Sequence, residues 1–135
     1  MTPDECRALF GPARSARLAT VGADGKPHVV PICFALDGRD TIYTAVDQKP
    51  KRTTSLRRLA NIAANPSVSL LADRYEDDDW ARLWWVRADG TATVHASHPD
   101  AIALLQARYA PYRNDPPQGP VIEIAVARWS GWRGG

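Results

Sequence analysis

Apolar and polar positions alternate in short runs along the first half of the chain. Arg17-Leu18-Ala19-Thr20-Val21 reads as a strand, 23–26 as a turn, and His28 to Leu36 as a second strand. Asp37-Gly38 turns the chain again, and Thr41 to Val46 forms a third strand of aromatic and β-branched residues. Asp-Gly between apolar runs is a hairpin signal, so these segments predict an antiparallel meander. The period then lengthens. Leu56, Leu59, Ala60 and Ala63 recur at helical spacing between about Thr53 and Asn65, with Arg57, Arg58 and Asn61 largely off that face, and Pro66 ends the helix. Val68 to Ala72 is a short buried strand, and the acidic run Asp73 to Asp79 a loop. Leu83 to Ala96 is strand-like again, with Asp89-Gly90 either a hairpin turn or a bulge in one long bent strand. Ser97 and Pro99 open a helix carrying Ile102, Leu105 and Tyr109. The segment 111–120 is a Pro-rich loop, and Val121 to Val126 is the last strand before a Trp- and Gly-rich tail. Ahead of all this, residues 2–14 form a short helix with Thr2 as N-cap, Pro3 in its first turn and Glu5 completing a capping box, stopped by Gly11-Pro12. Six strands against two or three helices predict a β-barrel or an α+β domain.

Composition narrows the class. The chain of 135 residues, 44% hydrophobic and 24% charged, suits one globular domain with a real core, residues 1–135 together. No apolar run reaches the roughly 20 residues of a membrane span, and the N-terminus lacks a continuous apolar core, so a cytoplasmic, non-membrane protein is expected. Cys6 and Cys33 are isolated thiols without CxxC spacing. A net charge of +2 is too small to indicate a nucleic-acid partner. Five Trp in so short a chain is a high density; such residues mark a core, a ligand wall or a subunit interface.

The chemistry concentrates where the third strand ends. Lys49, Lys51 and Arg52 precede Thr53, Thr54 and Ser55 at the expected start of the helix. Cations and hydroxyls ahead of a helix N-terminus make an anion site, because free N–H groups and the positive helix end face a phosphate. The plainer reading is a solvated basic turn.

In their order, ARLATVGADGKPHVVPICF followed by IYTAVDQKPKRTTSLRRLANIAANPSVSLLAD resemble the flavin- and deazaflavin-binding split β-barrel proteins, the pyridoxamine-phosphate-oxidase-like family. The likeness covers residues 10–130 and is greatest to the branch that uses coenzyme F420; DDDWARLWWVRADGTA is similar to one subgroup of it. The resemblance implies a mainly β fold with flanking helices, a six-stranded antiparallel split barrel that forms a homodimer with cofactor clefts at the subunit interface. It implies hydride transfer from reduced coenzyme F420 to a small organic acceptor. The phosphate would be held at Lys49, Lys51, Arg52 and Thr53. The ring would lie along His28 to Cys33, with Pro31, Ile32 and Cys33 nearest, and Thr44 and Ala45 would approach the linker. The strand-two Arg-x-x-x-x-Lys clamp of the FMN enzymes is missing, since His28 to Cys33 carries neither, which favours F420 over FMN. Arg128 and Arg133 lack the partner His of the true pyridoxamine-phosphate oxidases. The alternatives are an FMN-dependent oxidoreductase on the same fold and a non-catalytic binder of a flavin or haem-type tetrapyrrole.

Trp84 and Arg87 are further cofactor-site candidates. Strand alternation puts Trp84 and Val86 on one face and Trp85 and Arg87 on the other. One face is core, and the other either covers the partner's cofactor or simply packs the dimer. His28, His95 and His98 share no ligand spacing and Asp77 to Asp79 read as a solvated loop, so no metal is expected. Neither Ser55 nor Cys33 has His–Asp support as a nucleophile, and no catalytic residue stands out. Hydride transfer requires none.

Overall fold

The computed structural model of the chain describes residues 1–46 and 53–135, the side chains of 53–56 excepted. Helix α1 (Pro3–Phe10) begins as expected: the Thr2 hydroxyl accepts from the Glu5 N–H at 3.2 Å. It ends at Gly11, the expected stop, short of the outer bound at residue 14. The strands are β1 (Ala16–Val21), β2 (Pro27–Ile32), β3 (Ala35–Leu36), β4 (Thr41–Ala45), β5 (Ser67–Arg74), β6 (Trp84–His95) and β7 (Val121–Arg133). The helices are α2 (Thr53–Ala64), α3 (Pro99–Arg108) and the short α4 (Ala110–Asn114), with a 3-10 turn at Trp80–Arg82.

All seven strands form one antiparallel sheet in the order β2-β1-β5-β6-β7-β4-β3. Six strands were expected; the second one divides. Its body pairs with β1, while Ala35 and Leu36 pair with β4 at the other end of the sheet, so no simple three-strand meander exists. Only Cys33 and Phe34 separate these edge strands. Two residues span less than about 11 Å, so the sheet must curl until its edges approach, and that closes the barrel. The Thr44 hydroxyl donates to the Cys33 carbonyl at 2.7 Å across the corner, and Arg108 and Tyr109 hold the Phe34 carbonyl at 2.6 and 3.1 Å.

Asp89-Gly90 is a bulge rather than a hairpin. Strand β6 runs unbroken for 12 residues, and its register with β7 shifts between Asp89 and Gly90, leaving Ala127 without a counterpart. The last strand continues to Arg133 instead of stopping at Val126, because β6 pairs with it throughout, Trp85 opposite Trp132. Two further boundaries move: β5 runs on to Arg74, and α4 occupies part of the expected 111–120 loop.

The core fills the curl. Leu18, Phe10, Phe34, Ile42, Leu70, Val86, Ile122 and Ile124 are fully buried in one cluster. A smaller cluster under α3 joins Ala35, Leu105 and Tyr109 with Cys33, Ala45 and Ile102. Helix α2 differs from its sequence pattern in which face it buries. Ala60 and Ala63 are exposed, whereas Asn61 is buried beside Ile62 and Arg58 is half-buried. The reason is a polar contact: the Asn61 amide donates to the Thr20 hydroxyl at 3.0 Å.

Candidate cofactor site

Strand β2 is an edge. One side bonds to β1 through six residue pairs, and among the described residues no strand pairs with the other side. Its side chains alternate, with Pro31 exposed on the outer face and Ile32 buried in the core. His28 is half-buried on the Ile32 side, directly opposite Thr20. Its Nδ1 is shielded from solvent and has no hydrogen-bond partner among the described residues.

Arg58 provides the second orphaned group. It lies one turn before Asn61 and Ile62 on the barrel-facing side of α2, and its Nε is likewise shielded and unpartnered among the described residues. Burial holds this guanidinium below its ordinary pKa. Helical side chains lean toward the helix N-terminus, so Arg58 leans toward the first turn of α2. Burial of a cation is costly, and an anion at this corner would offset that cost.

The other expected site residues fall into three groups. Lys49, Lys51 and Arg52 lie outside the described residues, and Thr53 is the first residue of α2 with its side chain outside the description. Ile32 and Thr44 are buried, so only their backbone is available to a ligand; Cys33 and Ala45 pack under α3. Trp84 packs against the core, while Arg87 is exposed on the opposite face with its Nε 3.1 Å from Asp89. Trp84 and Arg87 therefore cannot serve one surface.

Arg87 belongs to a row running across the outer face of the sheet: Pro31, Arg17, Leu71, Arg87 and Ser130 lie side by side on five strands. Here Val29, Leu71, Trp85 and Trp132 are exposed at 60%, 40%, 37% and 48%. A shallow cleft of about 670 Å³ is lined by Arg17, Val29, Leu71, Trp85 and Arg87. An apolar surface of this kind marks an interface or a ligand wall.

The sequence reading missed Arg58 because its spacing from the leucines put it off the apolar face. It also missed a cluster at the far end of β6, where the structure brings His95, His98 and Glu123 together.

The curled antiparallel sheet, its flanking helices and the unpaired β2 edge define a split β-barrel. The chain belongs to the pyridoxamine 5'-phosphate oxidase family, whose sequence profile matches residues 2–133. It is 30% identical over 128 residues to the F420H(2)-dependent biliverdin reductase of Mycobacterium tuberculosis (strain CDC 1551 / Oshkosh), covering 93% of this chain and 84% of that one. Among solved structures it is similar to a FAD-binding protein from Mesorhizobium loti, with a TM-score of 0.73 at 20% identity over 97% of this chain and 94% of that one. A FAD-binding protein from Mycobacterium smegmatis gives a TM-score of 0.67 at 21% identity over 98% and 96%. No helix among the described residues is long and apolar enough to cross a membrane.

Proposed function

We propose that this protein is a coenzyme F420-dependent oxidoreductase working as a homodimer. The observation that carries the reading is the half-buried Arg58 on the barrel-facing side of α2, whose shielded Nε has no hydrogen-bond partner among the described residues. Together with Lys49, Lys51, Arg52 and Thr53 it would hold the anionic tail, with His28 donating from the neighbouring strand. The free backbone edge of β2, with Pro31 on its outer face, offers hydrogen bonds to the polar rim of a flat ring. The residues present thus fit the group. Bound there, the reduced deazaflavin supplies a hydride, so the chain's part is to bind, orient and exclude water.

The second copy would seat on the outer face of β2, β1, β5, β6 and β7, where Val29, Leu71, Trp85 and Trp132 stand exposed. Arg87 and Arg17 would then border a cleft between subunits. A conjugated acceptor bearing carboxylates suits such a wall, and the M. tuberculosis relative, named for biliverdin reduction, makes biliverdin the acceptor to test. FMN is the second reading for the cofactor; two similar folds are named as FAD-binding proteins, which supports a flavin as the alternative to the deazaflavin.

The test is anaerobic mixing of reduced F420 with biliverdin, with and without protein. The expected result is protein-dependent oxidation of the deazaflavin with matching loss of biliverdin. At subsaturating cofactor it should slow by more than about tenfold in Arg58→Met, the loss of one charge-assisted contact. Equal rates with and without protein would contradict the acceptor assignment.

A further inference from the structure

The end of β6 carries a further cluster of ionisable side chains. His95 is the last residue of β6, His98 caps α3, and Glu123 lies on β7 between Tyr43 and Thr93. Both imidazole Nε2 atoms stand 3.6 Å from the same Glu123 Oε1, and the three atoms lie within 4.8 Å of one another. His95 and His98 rings meet edge to face at 5.1 Å, and Tyr43 packs on His98 at 5.0 Å.

A separation of 3.6 Å is long for an N–H···O bond, which runs from 2.7 to about 3.2 Å. It is close to the distance between two ligands on one ion: bonds of about 2.1 Å at a tetrahedral angle hold their ends about 3.4 Å apart. The His95 Nε2 is shielded from solvent and has no hydrogen-bond partner among the described residues. We propose that His95, His98 and Glu123 form a binding site for a divalent transition metal, zinc or cobalt, that ties the ends of β6 and β7 to the start of α3. Two imidazoles with one carboxylate select a borderline-soft ion over Mg²⁺ or Ca²⁺. Side chains 21–34% exposed leave room for solvent to complete the coordination.

One contact opposes loading. The His98 Nδ1 accepts the Ala101 N–H at 3.1 Å, so the neutral ring carries its proton on Nε2. Coordination through Nε2 requires the other tautomer, with the proton moved to Nδ1, and so gives up the cap. A helix cap is a weaker interaction than a three-ligand metal contact, so the site still loads. The neighbouring ionisable groups are Tyr43, whose pKa is raised first by burial and then by the Glu123 charge, and Asp100 on α3.

The test is titration of the metal-free protein with Co²⁺ and Zn²⁺, read by visible cobalt absorption and by thermal melting against Mg²⁺. The expected result is one cobalt per chain in tetrahedral-type absorption and a Tm raised by Zn²⁺ alone. His98→Asn retains a good cap residue, so it should fold normally, yet lose more than about tenfold in metal affinity; His95→Ala should behave alike. Metal binding unchanged in both variants, or a Tm that Zn²⁺ leaves where Mg²⁺ does, overturns the proposal.

Discussion

Asp40 shows how a single side chain joins three elements. Its Oδ1 accepts from Trp129 Nε1 at 2.9 Å and from Arg7 Nε and a terminal guanidinium nitrogen at 3.0 and 2.8 Å. It thereby ties α1 and β7 to the turn before β4. The Trp129 bond first, and then Arg7, hold its carboxyl below the ordinary value. A carboxylate depressed in the folded state stabilises above the ordinary Asp pKa of about 3.9, and that stabilisation fades as pH falls through the folded value. Asp40→Asn should therefore lower unfolding stability at neutral pH by about 1 kcal/mol, an ordinary hydrogen-bond increment. Urea melts repeated down the acid limb should show the gap between the two proteins narrowing as pH falls below the ordinary Asp pKa toward the lower folded value; a gap that stays constant down the whole acid limb would contradict the charge argument. None of this was legible in the sequence, where Asp40 reads as part of a polar turn. The side on which Arg58 lies was equally hidden. Its helix spacing suggested an outward residue, and only the Asn61–Thr20 bond, a contact 41 residues apart, turns that face inward.

At the scale of elements the hydrophobic pattern read well wherever local chemistry set the outcome. Thr2-Pro3 and the stop before Pro66 mark real helix ends, and Asp37-Gly38 a real turn. Where a partner strand sets the outcome, the pattern fell short. The tail after Val126 looks unlike a strand until β6 lies beside it, and the second strand looks continuous until its ends are claimed by opposite edges of the sheet. Gly90 sits between these cases: the sequence offered a hairpin or a bulge, and the pairing selects the bulge. A Cβ at Gly90 would collide with the Ala125 carbonyl. Gly90→Val should thus cost about 3–4 kcal/mol, among the largest single-residue effects. The midpoint of urea unfolding should fall while the slope stays unchanged. A midpoint like that of the wild type would show that the β6–β7 bend does not need this close approach.

At the scale of the whole molecule, the curl of one sheet produces both surfaces on which the functional reading depends. It leaves β2 with an unpaired edge alongside β1, the strand on which α2 packs through Asn61 and Thr20, and it turns an apolar outer face toward solvent. The resemblance in the sequence anticipated the barrel, and the family match agrees. Strand alternation put Trp84 and Arg87 on opposite faces, as the structure has them, but left open which face is core; it is Trp84 that lies inside with Ile32, and Arg87 outside with Pro31. A residue list drawn from strand order alone cannot separate them, because alternation assigns faces only once one face is known to be core. The proposed dimer joins the two surfaces by placing the outer face of one copy over the cofactor edge of the other. That arrangement and the choice of coenzyme can be read together by sedimentation of the protein with F420 or FMN, following the chromophore. The account predicts F420 absorbance moving at the mass of a dimer, lost in Arg58→Met although that variant remains dimeric, with FMN left behind. FMN moving with the protein in place of F420, or F420 bound equally well by Arg58→Met, would contradict it.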